Sequence, residues 1–188
     1  MKYLLLGLGL LAGLSGRCAA ETSVHLDDPG QLLSFEAKWT KVCEAELVNF
    51  EHTTGIKILV RFHLKSPSVE EDKKPGAYMH ALARKLGVDR AGVLVVYFND
   101  DPDWRVWIGV ELVNTFTGQP GTVQELTASE AIHNVKEAML TAARAKADAD
   151  IEHAKKSDPA AKPLTAAQRL VFQADALLDA LKSKLAPK

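Results

Sequence analysis

Three aspartates lie within four positions of one short segment, and carboxylates gathered in this way are the oxygen ligands that Ca²⁺ and Mg²⁺ prefer. The segment, Asn99-Asp100-Asp101-Pro102-Asp103, separates two runs of apolar and β-branched residues. A calcium-binding loop needs ligands at alternating positions, a glycine at its bend and a later bidentate glutamate, and the segment lacks this pattern. Proline fixes φ for a turn, and aspartate side chains bond their own nearby backbone. We therefore predict a β-hairpin tip rather than a metal site.

The common catalytic and nucleotide-binding patterns do not occur in this sequence. No serine stands in a Gly-x-Ser-x-Gly elbow. Gly118-Gln119-Pro120-Gly121 lacks the Lys-Ser/Thr pair that follows the glycines of a phosphate-binding loop. The residues that could do chemistry must therefore be sought at the ends of the predicted strands.

Residues 1–20 have the layout of a secretory signal peptide. Lys2 precedes an apolar run from Leu4 to Leu14, and small residues stand at Cys18 and Ala20, the −3 and −1 positions for cleavage after Ala20. The apolar run is shorter than the roughly 20 residues of a membrane-spanning helix. We expect an exported protein, periplasmic or secreted after cleavage near Ala20, with no transmembrane segment in the mature chain.

The mature chain would be mildly acidic and would contain a single cysteine. Cleavage removes two of the 23 basic residues and none of the 24 acidic ones, so the net charge moves from −1 to −3. A chain without a basic stripe is not expected to bind nucleic acid. Since only Cys43 remains, no internal disulfide can form, and stability must come from a hydrophobic core.

Hydrophobic periodicity predicts helices and strands in alternation. The first helix carries an apolar stripe that includes Phe35 and Cys43, and we interpret Cys43 as a small buried hydrophobe. Gly55 is expected to end this helix in a left-handed conformation. The predicted elements before residue 111 are helix Leu32–Phe50, strand Ile56–Leu64, helix Ala77–Leu86, strand Ala91–Phe98 and strand Trp104–Val110.

Two capping boxes predict the starts of the later helices. They are Thr127-Ala128-Ser129-Glu130 and Thr165-Ala166-Ala167-Gln168. The order of elements predicts an α/β fold: a three-layer sandwich of a small mixed β-sheet with helices on both faces, plus an added C-terminal helix. We divide the chain into a signal peptide (1–20), an α/β domain (21–147), a charged connection containing alanine and proline (148–164) and a C-terminal amphipathic helix (165–185).

Several short motifs resemble those of the TPM domain family, which includes thylakoid-lumen proteins of photosystem repair and bacterial exported proteins. The resemblance covers roughly residues 24 to 145 and makes 21–147 a TPM-like domain. It rests on the order and spacing of four motifs, which are Leu26–Ser34 (LDDPGQLLS), Thr53–Ile58 (TTGIKI), Gly87–Leu94 (GVDRAGVL) and Arg105–Leu112 (RVWIGVEL).

The resemblance implies acidic residues gathered at one end of the sheet, since family members are described as acid phosphatases and metal binders. Asp28 and Asp89 are the best matches to that cluster. Arg90-Ala91 replaces the family's Asp-Asn pair, and Glu111 replaces the second glycine of its Gly-x-Gly-Leu motif. Val113 and Gly118 stand where a glutamate and an aspartate are usual, so the acidic set is depleted.

Each of these candidates also has a structural interpretation. Asp28 either caps the turn before the first helix or contributes to a metal or catalytic site. Asp89 precedes a central strand, so it reaches a ligand crevice only if a neighbouring strand ends beside it. Glu111 either lies close to Asp28 or faces water. Arg90, with a neighbouring backbone N–H, is a candidate anion site.

Trp104 and Trp107 are candidates for a partner-binding surface. They are three positions apart, so on a strand their side chains point to opposite faces. We expect one of them in the core and the other on a surface, either open to a partner or packed under the final helix.

Two functions are expected from these features. The first is a non-catalytic binding module, requiring no cofactor, that assists the assembly or repair of an envelope or membrane protein. The second is a weak acid phosphatase that uses a divalent cation, calcium or magnesium. Phosphoryl transfer needs its charge neutralised by metals or by Arg and Lys clamps. Because the acidic set is depleted and Arg90 occupies one of its positions, we favour binding.

Overall fold

A four-stranded mixed sheet forms the centre of the computed structural model, which describes residues 24–158, 160 and 162–187. The expected signal peptide lies outside these residues. The strands are β1 (Leu26–Asp27), β2 (Lys57–His63), β3 (Gly92–Phe98) and β4 (Asp103–Ile108). They follow the order β1-β2-β3-β4, in which the first three are parallel and β4 is antiparallel to β3. The three predicted strands are confirmed, and β1 was not predicted.

Helices cover both faces of this sheet, as expected for the α/β class. They are α1 (Ala37–Thr54), α2 (Ala77–Lys85), α3 (Val113–Thr117), α4 (Val123–Ala128), α5 (Ala131–Ser157) and α6 (Ala166–Leu185). Helix α2 packs on one face, where Met79 and Ala83 contact Leu94 and Phe98. The remaining helices contribute to the larger core on the opposite face. No helix within the described residues has the length and apolar character that a membrane span requires.

The first predicted helix starts later than its apolar pattern suggests. Residues 32–35 form turns, and the helix begins at Ala37. The backbone of Gln31 has a φ of 55°, which turns the chain before a helix can form. As a result Phe35 is 94% exposed, so its assignment to the apolar stripe was wrong. Gly55 does end the helix in a left-handed conformation, with φ of 73°.

The predicted capping box at residues 127–130 was wrong. The box that forms is one turn earlier, where Thr122 Oγ1 accepts the N–H of Glu125 and the Glu125 carboxylate accepts the N–H of Thr122 at 2.7 Å. Thr127 thus lies inside α4. Glu130 precedes α5 with φ of 59°, and its side chain makes no capping hydrogen bond. The capping box of Thr165 with Gln168 is confirmed.

Most of the segment expected as a connection is helical. Helix α5 continues to Ser157, so the non-helical connection begins at Asp158 rather than at residue 148. The helix continues because Ala147 and Ile151 are buried where α5 packs against α6. Lys146 and Asp150 form an ion pair on the outer face.

Cys43 is buried in the larger core, as predicted. Burial, with smaller effects from the nearby carboxylates, raises the pKa of its thiol to about 12. Since the thiolate is the reactive form of cysteine, this residue serves packing rather than chemistry.

The short strand β1 is anchored by charged side chains from neighbouring elements. The Glu44 carboxylate accepts the backbone N–H groups of His25 and Leu26 at 3.0 and 2.7 Å. The buried Arg61 guanidinium donates to the carbonyl oxygen of His25 at 3.0 Å. A strand of two residues forms few ladder bonds, so these contacts hold it on the sheet.

We expect Glu44→Ala to lower the free energy of unfolding by about 1–3 kcal/mol, because two backbone N–H groups lose their acceptor. Urea denaturation measures the change. Glu46→Ala is the matched control on the same helix, since exposed Glu46 pairs only with Lys182. Equal losses in the two variants would contradict an anchoring role for Glu44.

Candidate functional site

The predicted acidic candidates do not come together. Asp28 follows β1 and lies at the carboxyl end of the parallel strands. Asp89 precedes β3, and Glu111 follows the antiparallel strand β4, so both lie at the opposite end of the sheet. Of the two alternatives for Glu111, proximity to Asp28 does not occur, and its side chain is half exposed. Within the part of the chain that the structure describes, no group of three or more His, Cys, Asp or Glu side chains could hold a metal ion.

Asp28 caps the turn that precedes α1. One of its carboxylate oxygens accepts the N–H of Leu32 at 3.0 Å, and the other accepts the N–H of Leu33 at 2.7 Å. Both oxygens are thus used by the backbone of the same loop, which is the capping interpretation of this residue.

Replacement of Asp28 by alanine is expected to lower the free energy of unfolding by about 1 kcal/mol, the usual cost of a lost backbone cap. Asp89→Ala serves as the comparison, and we expect it to stay within roughly 0.5 kcal/mol of the parent chain. Thermal and urea unfolding of the two variants give the difference. A neutral Asp28→Ala variant would contradict the capping role.

Arg90 is already paired with an acid at the end of the sheet where Asp89 lies. Its Nε and Nη2 donate to one carboxylate oxygen of Glu111 at 3.0 and 2.8 Å. Both side chains are more than half exposed, so this pair contributes little to stability. The pairing neutralises the charge on which the predicted anion site depends.

The aspartate-rich segment forms the tip of the β3–β4 hairpin, as predicted. The Asp100 carboxylate accepts the N–H and the hydroxyl of Ser66 at 2.7 and 2.9 Å. It also accepts the N–H of Asp101 at 3.0 Å. These hydrogen bonds stabilise the turn, and those with Ser66 also connect the hairpin to the loop after β2.

Trp104 and Trp107 point to opposite faces of β4, as predicted. Trp104 is buried in the larger core, where its ring meets Phe62 edge-on at 5.7 Å and its Nε1–H donates to Gln173 on α6. Trp107 is half-buried, stacks on His80 at 4.7 Å and donates to the carbonyl oxygen of Asp89. Neither ring projects freely, so the partner surface does not consist of an isolated tryptophan.

A concave groove lies along β4. It has a volume of about 790 Å³ and lies between this edge strand and the first half of α5. All six residues of β4 line the groove on one side, and α5 lines it from Ile132 to Arg144. Met79 at the start of α2 also lines it. A volume of this size falls within the range of typical ligand sites.

The backbone of β4 presents free hydrogen-bonding groups to the groove. The backbone N–H of Gly109 donates to the carbonyl oxygen of Gly92, the first residue of the neighbouring strand β3, at 2.8 Å. In an antiparallel pair, such hydrogen-bonded positions alternate with positions that face away. The N–H and C=O groups of Trp104, Val106 and Ile108 therefore point away from β3, toward the groove. The three residues are only 5–8% exposed, so these groups lie at the bottom of the groove rather than on an open surface.

Two cations on α5 line the groove without an ion-pair partner among the described residues. Lys136 is partly buried there, and Arg144 lies two turns further along the helix. Burial lowers the pKa of the Lys136 ammonium, and the neighbouring Glu137 offsets this only in part. Arg105, which also lines the groove, is bound instead to Asp72 at 2.9 Å. Lys136 and Arg144 are thus the cations of the groove without an ion pair among the described residues, and the exposed Glu130 and Glu137 line the same groove.

Neither cation was identified from the sequence. Their spacing of eight positions places them on one helix face, and this was the available signal. It could not be used, because only the tertiary arrangement shows that this face looks onto an open strand edge.

We expect Lys136→Met to raise the free energy of unfolding at neutral pH by roughly 0.5 kcal/mol, because burying an unpaired ammonium is unfavourable. The folded state lowers the pKa of Lys136. The gain is therefore full well below that lowered pKa, and it disappears as pH rises toward the ordinary lysine value of about 10.4. Urea denaturation across this range measures it. Lys146→Met, which breaks the exposed ion pair with Asp150, should give no gain.

Comparisons with known proteins do not assign this chain to a family. No family model matches the sequence, and no curated protein matches it. A similar solved structure is the solution NMR structure of the N-terminal domain of a protein from P. gingivalis, with 19% identity and a TM-score of 0.47. The alignment covers 88% of this chain and 87% of that domain. The relation to the TPM domain family stays an expectation based on motifs.

Proposed function

We propose that this chain is an exported, non-catalytic binding module that holds a segment of a partner protein in the groove between β4 and α5. The observation that carries the proposal is the open edge of β4, whose unpaired backbone groups line a groove of about 790 Å³. Such an edge binds other polypeptide chains unless it is covered or paired. The predicted signal peptide and the TPM-like motifs are consistent with an envelope or membrane protein as the partner.

The arrangement of acids supports binding over the phosphatase alternative. Metal-assisted phosphoryl transfer needs carboxylates that converge on the ion. Asp28 and Asp89 lie at opposite ends of the sheet, and Asp28 already caps its own loop through both oxygens. Arg90 is paired with Glu111, so it offers no free clamp for a phosphoryl group.

Site-directed photo-crosslinking tests the proposed function. A photoreactive residue replaces Thr141, which lines the groove, and a control protein carries it at Ala138, which is exposed on α5 outside the groove. In the native cells, we expect a discrete adduct with another protein from position 141 but not from position 138. Excess unlabelled protein should compete for it. Identical adducts from both positions, or adducts only with other copies of this chain, would contradict the proposal.

A further inference from the structure

We infer that the groove receives an extended polypeptide segment as a fifth strand along β4, and that Lys136 and Arg144 bind acidic side chains of that segment. This inference rests on the proposed function and specifies the mode of binding and the chemistry of the partner. Addition of a strand to a sheet edge is a recurrent mode of peptide recognition, in which backbone bonds supply affinity and side-chain contacts supply specificity.

The two edges of the sheet differ in their capacity to accept a strand. β1 has two residues, too few to template a stable pairing. β4 has six residues and therefore offers an edge about 20 Å long. The outward groups of Trp104, Val106 and Ile108 give three N–H donors and three carbonyl acceptors along that length.

Helix α5 borders this edge without closing it. A helix that only protected the strand would pack directly on it, whereas here a groove of about 790 Å³ remains between them. Residues of α5 and of the start of α2 line the groove beside β4, and we expect a single extended chain to enter between them more readily than the sheet of a second copy. The occupant is therefore an extended segment of another protein.

The charges of the groove favour an acidic segment. Lys136 and Arg144 are eight positions apart, or about 12 Å along the helix. Side chains at positions i and i+4 of an extended strand lie on one face and are about 13 Å apart. Two acids at this spacing would each meet one cation, with an apolar residue between them against Leu140. Three acids also line the groove: Asp103, Glu130 and Glu137. Asp103 lies 3.8 Å from the guanidinium of Arg105, and Glu130 and Glu137 are exposed, as Arg144 is. Solvent therefore screens the charge of the partly buried Lys136 less than it screens these exposed groups.

A smaller cavity adjoins the groove. It has a volume of about 260 Å³ and shares Trp104, Leu140 and Arg144 with the groove. Tyr97 and Gln173 also line it, so its lining offers polar groups as well as apolar contacts. We expect a side chain of the partner with both characters at this position, beside the acid that pairs with Arg144.

Selection from a phage-displayed library of random twelve-residue peptides tests the inference and does not require that the natural partner be identified first. Peptides selected on the full chain should carry two acids four positions apart within a run of β-branched residues. The Lys136→Gln, Arg144→Gln double variant should bind them about tenfold more weakly or worse, the effect of losing a charged contact. Lys146→Gln is the matched charge control on the same helix and should bind nearly as well as the parent chain.

Amide hydrogen exchange of the selected complex tests the strand addition itself. The N–H groups of Trp104, Val106 and Ile108 should exchange about tenfold more slowly or better when peptide is bound, since they become hydrogen-bonded. Arg105 and Trp107 already bond β3 and should change little. Val106→Pro is a second variant: proline is tolerated where an edge N–H points outward, and it should weaken binding while the fold persists.

The outcomes separate this inference from the proposed function. Selected peptides without acids, equal binding to the double variant, or unchanged exchange at the three outward amides would each overturn the inference. A groove-specific crosslink from Thr141 would in those cases leave the proposed function standing. A library that yields no binder overturns the inference, and protection of the same amides by concentration-dependent dimerisation would assign the edge to a second copy.

Discussion

The burial of β3 on both faces is the constraint from which the rest of the architecture follows. All seven of its residues are buried, so each face of the strand must be covered by helices. Its neighbours β2 and β4 satisfy the backbone on either side. Since β2 is buried almost as completely, the sheet needs α2 on one face and α1 with α6 on the other. β4 ends the sheet, and its outward backbone groups have no further strand to pair with.

The two edge strands of the sheet, β1 and β4, differ in how their backbone groups are bound. We relate the contacts at β1 to stability and the groove at β4 to the proposed function. At β1, Glu44 and Arg61 bind the backbone directly and hold a strand too short to stay by ladder bonds alone. At β4, the cations of α5 face the edge across a groove and make no ion pair within the described chain. The first edge is closed by internal contacts. At the second edge the outward backbone groups line a groove, which is the arrangement that we propose for a binding surface.

The sequence predicts those parts of the fold that depend on local pattern, and it fails where tertiary contacts decide. The continuous apolar run of β3 identifies a central strand without further information. β1 could not be predicted, because two residues carry no periodic signal and the strand depends on Glu44 from another element. Thr122 and Thr127 both begin a capping-box pattern, and the local sequence does not distinguish them. In the structure the Thr122 box forms, and Leu126 of the helix that it starts is buried. The groove depends on which strand lies at the edge, and composition does not encode this.

Charged residues that have a partner within the fold can be distinguished from those that lack one, and this difference bears on their roles. Asp28 uses both carboxylate oxygens to bond its own loop, and Arg90 is matched by Glu111, so each has a local structural explanation. Lys136 has none: its ammonium is partly desolvated, and no acid among the described residues binds it. A charge held in an unfavourable position with only partial compensation from a neighbouring acid is typical of a site that an external ligand completes. This argument is the reason for proposing the groove along β4, rather than the acids that the motifs suggest, as the site of function.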